Sequence, residues 1–279
     1  MVVQQHRLRG GVCAAAAVVG VGAMVAATAG CSAGGNAVAD ARPSGDPVAV
    51  VRNAADVLAA AGTSKARTSM EMAAGGTRVT IRGEGGYDFR RSTGRLRVVL
   101  PKDPAGADEH RPITELFAPG ALYMKNRGAG VPADKWVRVD TTTLRDGNLV
   151  TGGATDPAAA AELLRGARTV MYVGQEDLAG VRVNHYRGTT HIARAAHVAS
   201  PHARDALAAA AKGFAKDSVP FDAYLDDAGR LRKVRHQFSF VNQGRTVAVA
   251  STTLLYEFGA PVVVQLPAHQ DIYAGKVRL

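Results

Sequence analysis

Cys31 follows Ala27-Thr28-Ala29-Gly30 directly and is the residue with the most definite chemistry in this sequence. Its thiol is a nucleophile that a diacylglyceryl group can alkylate before the chain is cut in front of it. The other candidates are weaker. His185, His191, His197 and His202 form the one run of possible metal ligands. His185 and His191 stand an even number of residues apart and share a face if the segment is a strand, and His197 could fold back toward them. Within that run no carboxylate or cysteine completes a ligand set, and the arginine-rich flanks repel a cation. Polar strand and loop histidines, with no metal and no cofactor, are therefore expected. Asp226-Asp227 precedes Gly229 and fits a hairpin turn. Gly83-Glu84-Gly85 begins like a dinucleotide fingerprint but lacks the third glycine and the following βαβ unit. The motifs G-x-S-x-G, S-x-x-K, H-E-x-x-H and the P-loop do not occur, so no catalytic residue is assigned and a non-enzymatic protein is expected.

The segment before Cys31 decides what its thiol meets. Arg7 and Arg9 precede a run that starts at Gly10 and carries no charge until Asp40. A positive start, an apolar stretch and a small-residue cleavage site make the secretory pattern. With the cysteine added, the stretch resembles a bacterial lipoprotein lipobox, although Thr28 stands where an aliphatic residue is usual. The competing assignment is an uncleaved membrane helix, for which alanine and glycine make a poor span. Residues 1–30 are thus expected to be a lipoprotein signal peptide and Cys31 the acylated first residue of the mature protein. Each buried methylene of the acyl chains adds about 0.8 kcal/mol, so the chain is expected to sit on the outer face of the cytoplasmic membrane.

Lys and Arg number 34 against 24 Asp and Glu, a formal charge of +10, and removal of residues 1–30 takes two arginines and no acid, leaving +8. A basic excess suits anionic headgroups or wall polymers, or simply a solvated basic surface. An exported chain with no RNA- or DNA-binding motif is a poor partner for nucleic acid. Cys13 falls in the signal and Cys31 is consumed by lipid, so the fold must stand without disulfides.

Residues 31–46 are small and polar and read as a tether, and residues 47–279 as one domain. Asp46-Pro47 caps a first helix that closes at Gly62. Strands are expected at 69–73, 78–82, 87–89, 95–100, 113–118, 121–125 and 135–139, with a kink or bulge at Gly83–Gly86. Connections this short make an antiparallel meander. Asp156-Pro157 opens a second helix and Pro201 a third, both rich in alanine. Further strands are expected at 169–173, 181–190, 220–225, 230–240 and 246–256, and at 262–264. The fold class is α+β, with about three helices on one face of a long antiparallel sheet.

Three patches carry a family resemblance. They are Leu122-Tyr123-Met124-Lys125 with Lys135-Trp136-Val137-Arg138-Val139-Asp140, then Gly180-Val181-Arg182-Val183-Asn184-His185-Tyr186, then Val219-Pro220-Phe221-Asp222-Ala223-Tyr224-Leu225 through Val234. In this order they resemble the LolA-like fold, in particular the actinobacterial lipid-carrier lipoproteins of the LppX/LprG type. The resemblance implies a strongly curved sheet, almost a half-barrel, with helices covering its concave face. It also implies an apolar cavity for the acyl chains of a lipid or glycolipid, or a surface groove for an envelope partner protein. Val79, Ile81, Leu96, Val98, Leu116, Leu122, Met124 and Trp136 are the expected cavity wall.

Overall fold

The computed structural model describes residues 45–74, 76–101, 111–214, 216–242 and 245–275. The expected signal peptide, Cys31 and nearly all of the tether lie outside them. Among the described residues no helix is long and apolar enough to cross a membrane.

The Asp46 carboxylate accepts from the Val48 N–H at 3.0 Å, and Pro47 opens α1 (Pro47–Arg52). The single helix expected up to Gly62 is broken at Asn53, and α2 (Ala54–Ala61) follows. Gly62, at φ 86°, turns the chain into the sheet. β1 (Thr63–Ala74), β2 (Thr77–Asp88), β3 (Thr93–Val99), β4 (Ile113–Ala118), β5 (Ala121–Lys125) and β6 (Trp136–Asp140) form the first meander. After α3 (Pro157–Leu163) come β7 (Ala167–Leu178) and β8 (Val181–His191), then α4 (Ile192–Val198) and α5 (Pro201–Gly213). β9 (Ser218–Asp226), β10 (Leu231–Asn242) and β11 (Arg245–Tyr256) complete the second meander. The protein is α+β, and its 11 strands form one open antiparallel sheet in the order β6-β5-β4-β3-β2-β1-β11-β10-β9-β8-β7. The first and last strands meet in the middle and join the two meanders.

Several local expectations change. β1 is 12 residues long where five were expected. The glycines at 83–86 neither kink nor bulge, because the ladders to β1 and β3 run through them without a register shift. Gly83 is instead a packing position, where a Cβ would lie 2.5 Å from the Thr68 hydroxyl. Among the described residues five α-helices replace the expected three, through the break at Asn53 and the addition of α4. Residues 262–264 form no strand.

One face of the sheet, here called inner, carries the core. Thr155 Oγ1 lies 2.5 Å from Ser251 Oγ of β11, Thr190 of β8 donates to the Leu163 carbonyl, and Phe214 after α5 packs on Phe238 of β10. Arg165 ties the helices to one another. It donates to Asp56 of α2 at 2.8 and 2.6 Å and to buried Glu162 of α3 at 2.9 and 3.2 Å. Glu162 also accepts from the Ser200 N–H and hydroxyl at the start of α5, so three helices share one charged knot.

Candidate functional site

Alternation along antiparallel strands fixes which side chains meet. On the inner face the register aligns Ala66, Gly85, Leu96, Glu115, Met124 and Val137 across the six strands of the first meander. A neighbouring row aligns Thr68, Gly83, Val98 and Ile113. Of the eight wall residues expected, Ile81, Leu96, Val98, Leu122 and Met124 lie together here, buried, and Val79 packs at their border. Leu116 and Trp136 fall on the outer face. Their partners Ile113, Glu115 and Phe117 in β4, and Val137 in β6, take the inward positions, because a one-residue offset reverses the face.

The segment 141–156, between β6 and α3, fills the space above this wall. Leu149, Val150 and Ala154 belong to the buried cluster, and a Cβ at Gly153 would stand 3.5 Å from Ile81. Asp146 folds the segment. Its carboxylate accepts from the Asn148, Val150 and Thr151 N–H groups at 3.1, 2.8 and 2.6 Å, and from the Thr151 hydroxyl at 2.9 Å. Asn148 Oδ1 then takes the Gly152 N–H, and Thr155 donates to the Leu149 carbonyl. A small cavity of about 30 Å³, room for a water molecule, remains beside Tyr87, Asp156 and His202.

Beneath the segment and the helices the inner face is unusually polar. Glu115 is fully buried and neither carboxyl oxygen has a partner; the hydroxyls of Ser64, Thr68 and Thr253 and the Nε2 of His236 are also buried without one. Burial drives the Glu115 carboxyl well above the usual carboxylate range, opposed by the Arg127 charge and reinforced by Asp156. Burial also raises Asp156, against the Tyr87 hydroxyl and the α3 N–H groups that it caps. His236 is pushed down to about 3 by burial. An unfolded histidine titrates near 6.5, so the unfolded chain binds the extra proton between pH 6.5 and 3. The His236 contribution to stability should therefore fall by about 1.4 kcal/mol per pH unit as pH drops from 6.5 towards 3, and the stability of His236→Leu relative to the parent should rise from pH 7 to pH 5 in urea titrations.

The histidine run disperses. His185 is buried on the outer face, with Nδ1 2.7 Å from Glu176, Nε2 2.8 Å from Asp222 and its ring stacked on Tyr224 at 4.3 Å. Carboxylates occupy both ring nitrogens, and neither is left for a metal. His191 lies 3.1 Å from Asp217, and His197 and His202 belong to α4 and α5. Asp226 is a turn residue as expected, accepting from the Ala228 and Arg230 N–H groups and the Arg230 and Arg232 side chains. The inner polar residues escaped sequence reasoning. The available signal was Ile113-x-Glu115-x-Phe117, an acid on the apolar face of a strand.

These features define a class: an open antiparallel sheet with one face covered by short helices and a folded loop, and with buried polar groups beneath. No protein-family model and no curated protein sequence matches the chain. Among solved structures the chain is similar to the Mycobacterium tuberculosis lipoprotein LppX at 11% identity and a TM-score of 0.44, over 79% of this chain and 100% of that one. It is similar to LprF from Mycobacterium bovis at 12% identity and 0.40, over 80% and 97%. A LolA superfamily protein from Nitrosomonas europaea follows at 10% and 0.35, over 76% and 94%.

Proposed function

We propose that this is a non-enzymatic envelope lipoprotein, held by acylated Cys31 on the outer face of the cytoplasmic membrane, that shelters an apolar ligand. The ligand, a lipid or lipid-linked envelope molecule, would lie between the helices and a strongly curved sheet once segment 141–156 withdraws. The observation that carries this reading is the set of unpartnered polar atoms on the inner face, at Ser64, Thr68, Glu115, His236 and Thr253. Each such atom costs about 1–3 kcal/mol if nothing meets it. Water or the polar end of an amphiphile would relieve that cost, while Ile81, Leu96, Val98, Leu122 and Met124 would line the apolar part. In the closed arrangement segment 141–156 sits against Ile81, Val98 and Leu122, so uptake must open it.

Native mass spectrometry of the protein from its own membranes, followed by solvent extraction, should yield bound lipid, and the protein should take up a fluorescent fatty acid. A protein free of lipid that also rejects the probe would remove this reading. Anchoring is tested separately: palmitate labelling should vanish in Cys31→Ser.

A second reading has its own observation. β7 is an outermost strand with Met171 61% and Val173 47% exposed, the apolar side chains an extended partner peptide would cover. Crosslinking in intact cells separates the two: a stoichiometric protein joined through β7, without lipid, favours a module that grips an envelope partner.

A further inference from the structure

The outer face of the first meander carries charge in a regular array. One row across its six strands reads Arg67, Glu84, Arg97, Thr114, Lys125, Trp136, and the adjacent row Lys65, Gly86, Arg95, Leu116, Tyr123, Arg138. Two neighbouring rows thus hold six cations and one carboxylate. Arg67 pairs with Glu84 at 3.1 Å, Lys65 with Glu257 at 2.5 Å, and Lys125 lies over the Trp136 ring. Arg95, Arg97 and Arg138 are exposed; among the described residues Arg95 and Arg97 have no acidic partner, and Arg138 has only Asp140 two residues along its own strand. No short-range pairing cancels this half of the array, so its field reaches solvent.

The chain after β11 adds a second, apolar component. Gly259 donates to the Thr63 carbonyl at 2.9 Å, and Val262 rests against Gly86, where a Cβ would lie 2.9 Å from it. Ile272 then bridges Trp136, and the Tyr273 N–H meets the Trp136 carbonyl at 2.8 Å. Residues 257–275 therefore strap the outer face from β2 to β6. This strap exposes Val263 at 84% and Leu266 at 43% beside the arginines. An open groove of about 400 Å³ runs along it, lined by Lys65, Arg95, Arg97, Tyr256 and Val262 among others.

Unpaired arginines, exposed aliphatic side chains and a half-exposed tryptophan and tyrosine on one face suit a single kind of partner. A bilayer surface offers phosphates for the cations and an acyl boundary for the apolar side chains, whereas a soluble polyanion has no use for Val263 and Leu266. We propose that this strapped outer face docks on an anionic phospholipid surface, with headgroup phosphates at Arg95 and Arg97 and with Val263 and Leu266 entering the interface. The proposal concerns the face opposite the ligand wall and stands or falls independently of what the interior holds.

The test uses the full chain carrying Cys31→Ser, made by cell-free translation so that no acyl group contributes, and floated with vesicles. Phosphatidylcholine vesicles are compared with vesicles containing 30 mol% phosphatidylglycerol, a composition set by the experimenter at about the level that gives a clear surface potential. Binding should favour the anionic vesicles, and the preference should shrink as salt is raised. Residues 1–30, with Arg7 and Arg9, are common to parent and variants, so their contribution cancels when the ratio of each variant is divided by that of the parent. The variant Arg95→Ser/Arg97→Ser/Arg138→Ser should reduce that ratio roughly a hundredfold, from about fivefold less binding for each of the three cations. Val263→Ser/Leu266→Ser should reduce binding that survives high salt. The control Arg168→Ser/Arg194→Ser/Lys212→Ser removes the same charge elsewhere and should change the ratio far less. Equal binding to both compositions, equal loss in the control, or binding to heparin with none to anionic vesicles would each overturn the proposal. All substituted positions on the sheet, on the strap and in the control variant are exposed, and matching thermal unfolding midpoints would show that the variants are folded.

Discussion

Asp146→Ala should release segment 141–156 and cost about 2–4 kcal/mol in global stability. One carboxylate there accepts four hydrogen bonds within five residues, three of them from backbone N–H groups. Hydrogen bonds to a charged group contribute about 1.5–3 kcal/mol each, less where water competes, and these are only partly buried. Without them the Val150 and Thr151 amides lose their acceptor, and Leu149 and Val150 lose the backbone geometry that holds them on the wall. Urea unfolding reads the stability, and hydrogen exchange at Val150 and Thr151 reads the local release. The same variant should take up a fluorescent fatty acid faster than the parent. Faster exchange without faster uptake would separate the loop from any route to the interior.

Glu115→Leu should raise stability at pH 7 by about 1–3 kcal/mol, an unusual sign for a change at a fully buried site. The carboxyl has no hydrogen-bond partner, and burial holds its folded pKa above that of the unfolded chain. The folded state thus binds the extra proton. The contribution of Glu115 to stability is fully present below about pH 4.5 and is lost as pH rises toward the raised folded value. At neutral pH folding must protonate and desolvate this acid, and replacement by an apolar side chain removes that cost. The gain should therefore be large at pH 7 and small at pH 4, as urea midpoints at the two values will show. Gln at the same position keeps an unpartnered polar group and should gain less. His236 acts in the opposite direction, so the parent should be most stable between the two limbs.

The sequence made much of this fold legible because alternation is a local signal. Leu96 and Val98, with Arg95 and Arg97 between them, announce both the strand and its faces, and Asp46-Pro47 and Asp156-Pro157 announce helix starts. Where a residue type disagreed with its environment, the reading failed. An acid at Glu115 breaks the apolar alternation of β4, and the expected wall residue Leu116 carries the opposite parity. Trp136 is among the expected wall residues, but Val137 and Val139 hold the inward parity of β6. The glycines at 83–86 look like a break, but Gly83 packs closely against Thr68 and Ala154, Gly85 against the Arg95 backbone and Gly86 against Val262. Segment 141–156 has no period at all, since a single carboxylate shapes it, and Asp146-Gly147-Asn148 was its only turn signal. The charged rows on the outer face depend on register between strands far apart in sequence, which no local pattern reveals.

Pairing of β1 with β11 also sets the order in which the molecule can be assembled. The seam joins residues as distant as Lys65 and Tyr256, so closing it demands ordering nearly the entire intervening chain. Each meander can form from neighbouring strands as it is synthesised, yet the two halves have no common ladder until the final strand arrives. A chain stopped before Arg245 should leave the β1 and β10 edges bare and prone to clumping. During synthesis, the last dozen residues of sheet act as the latch.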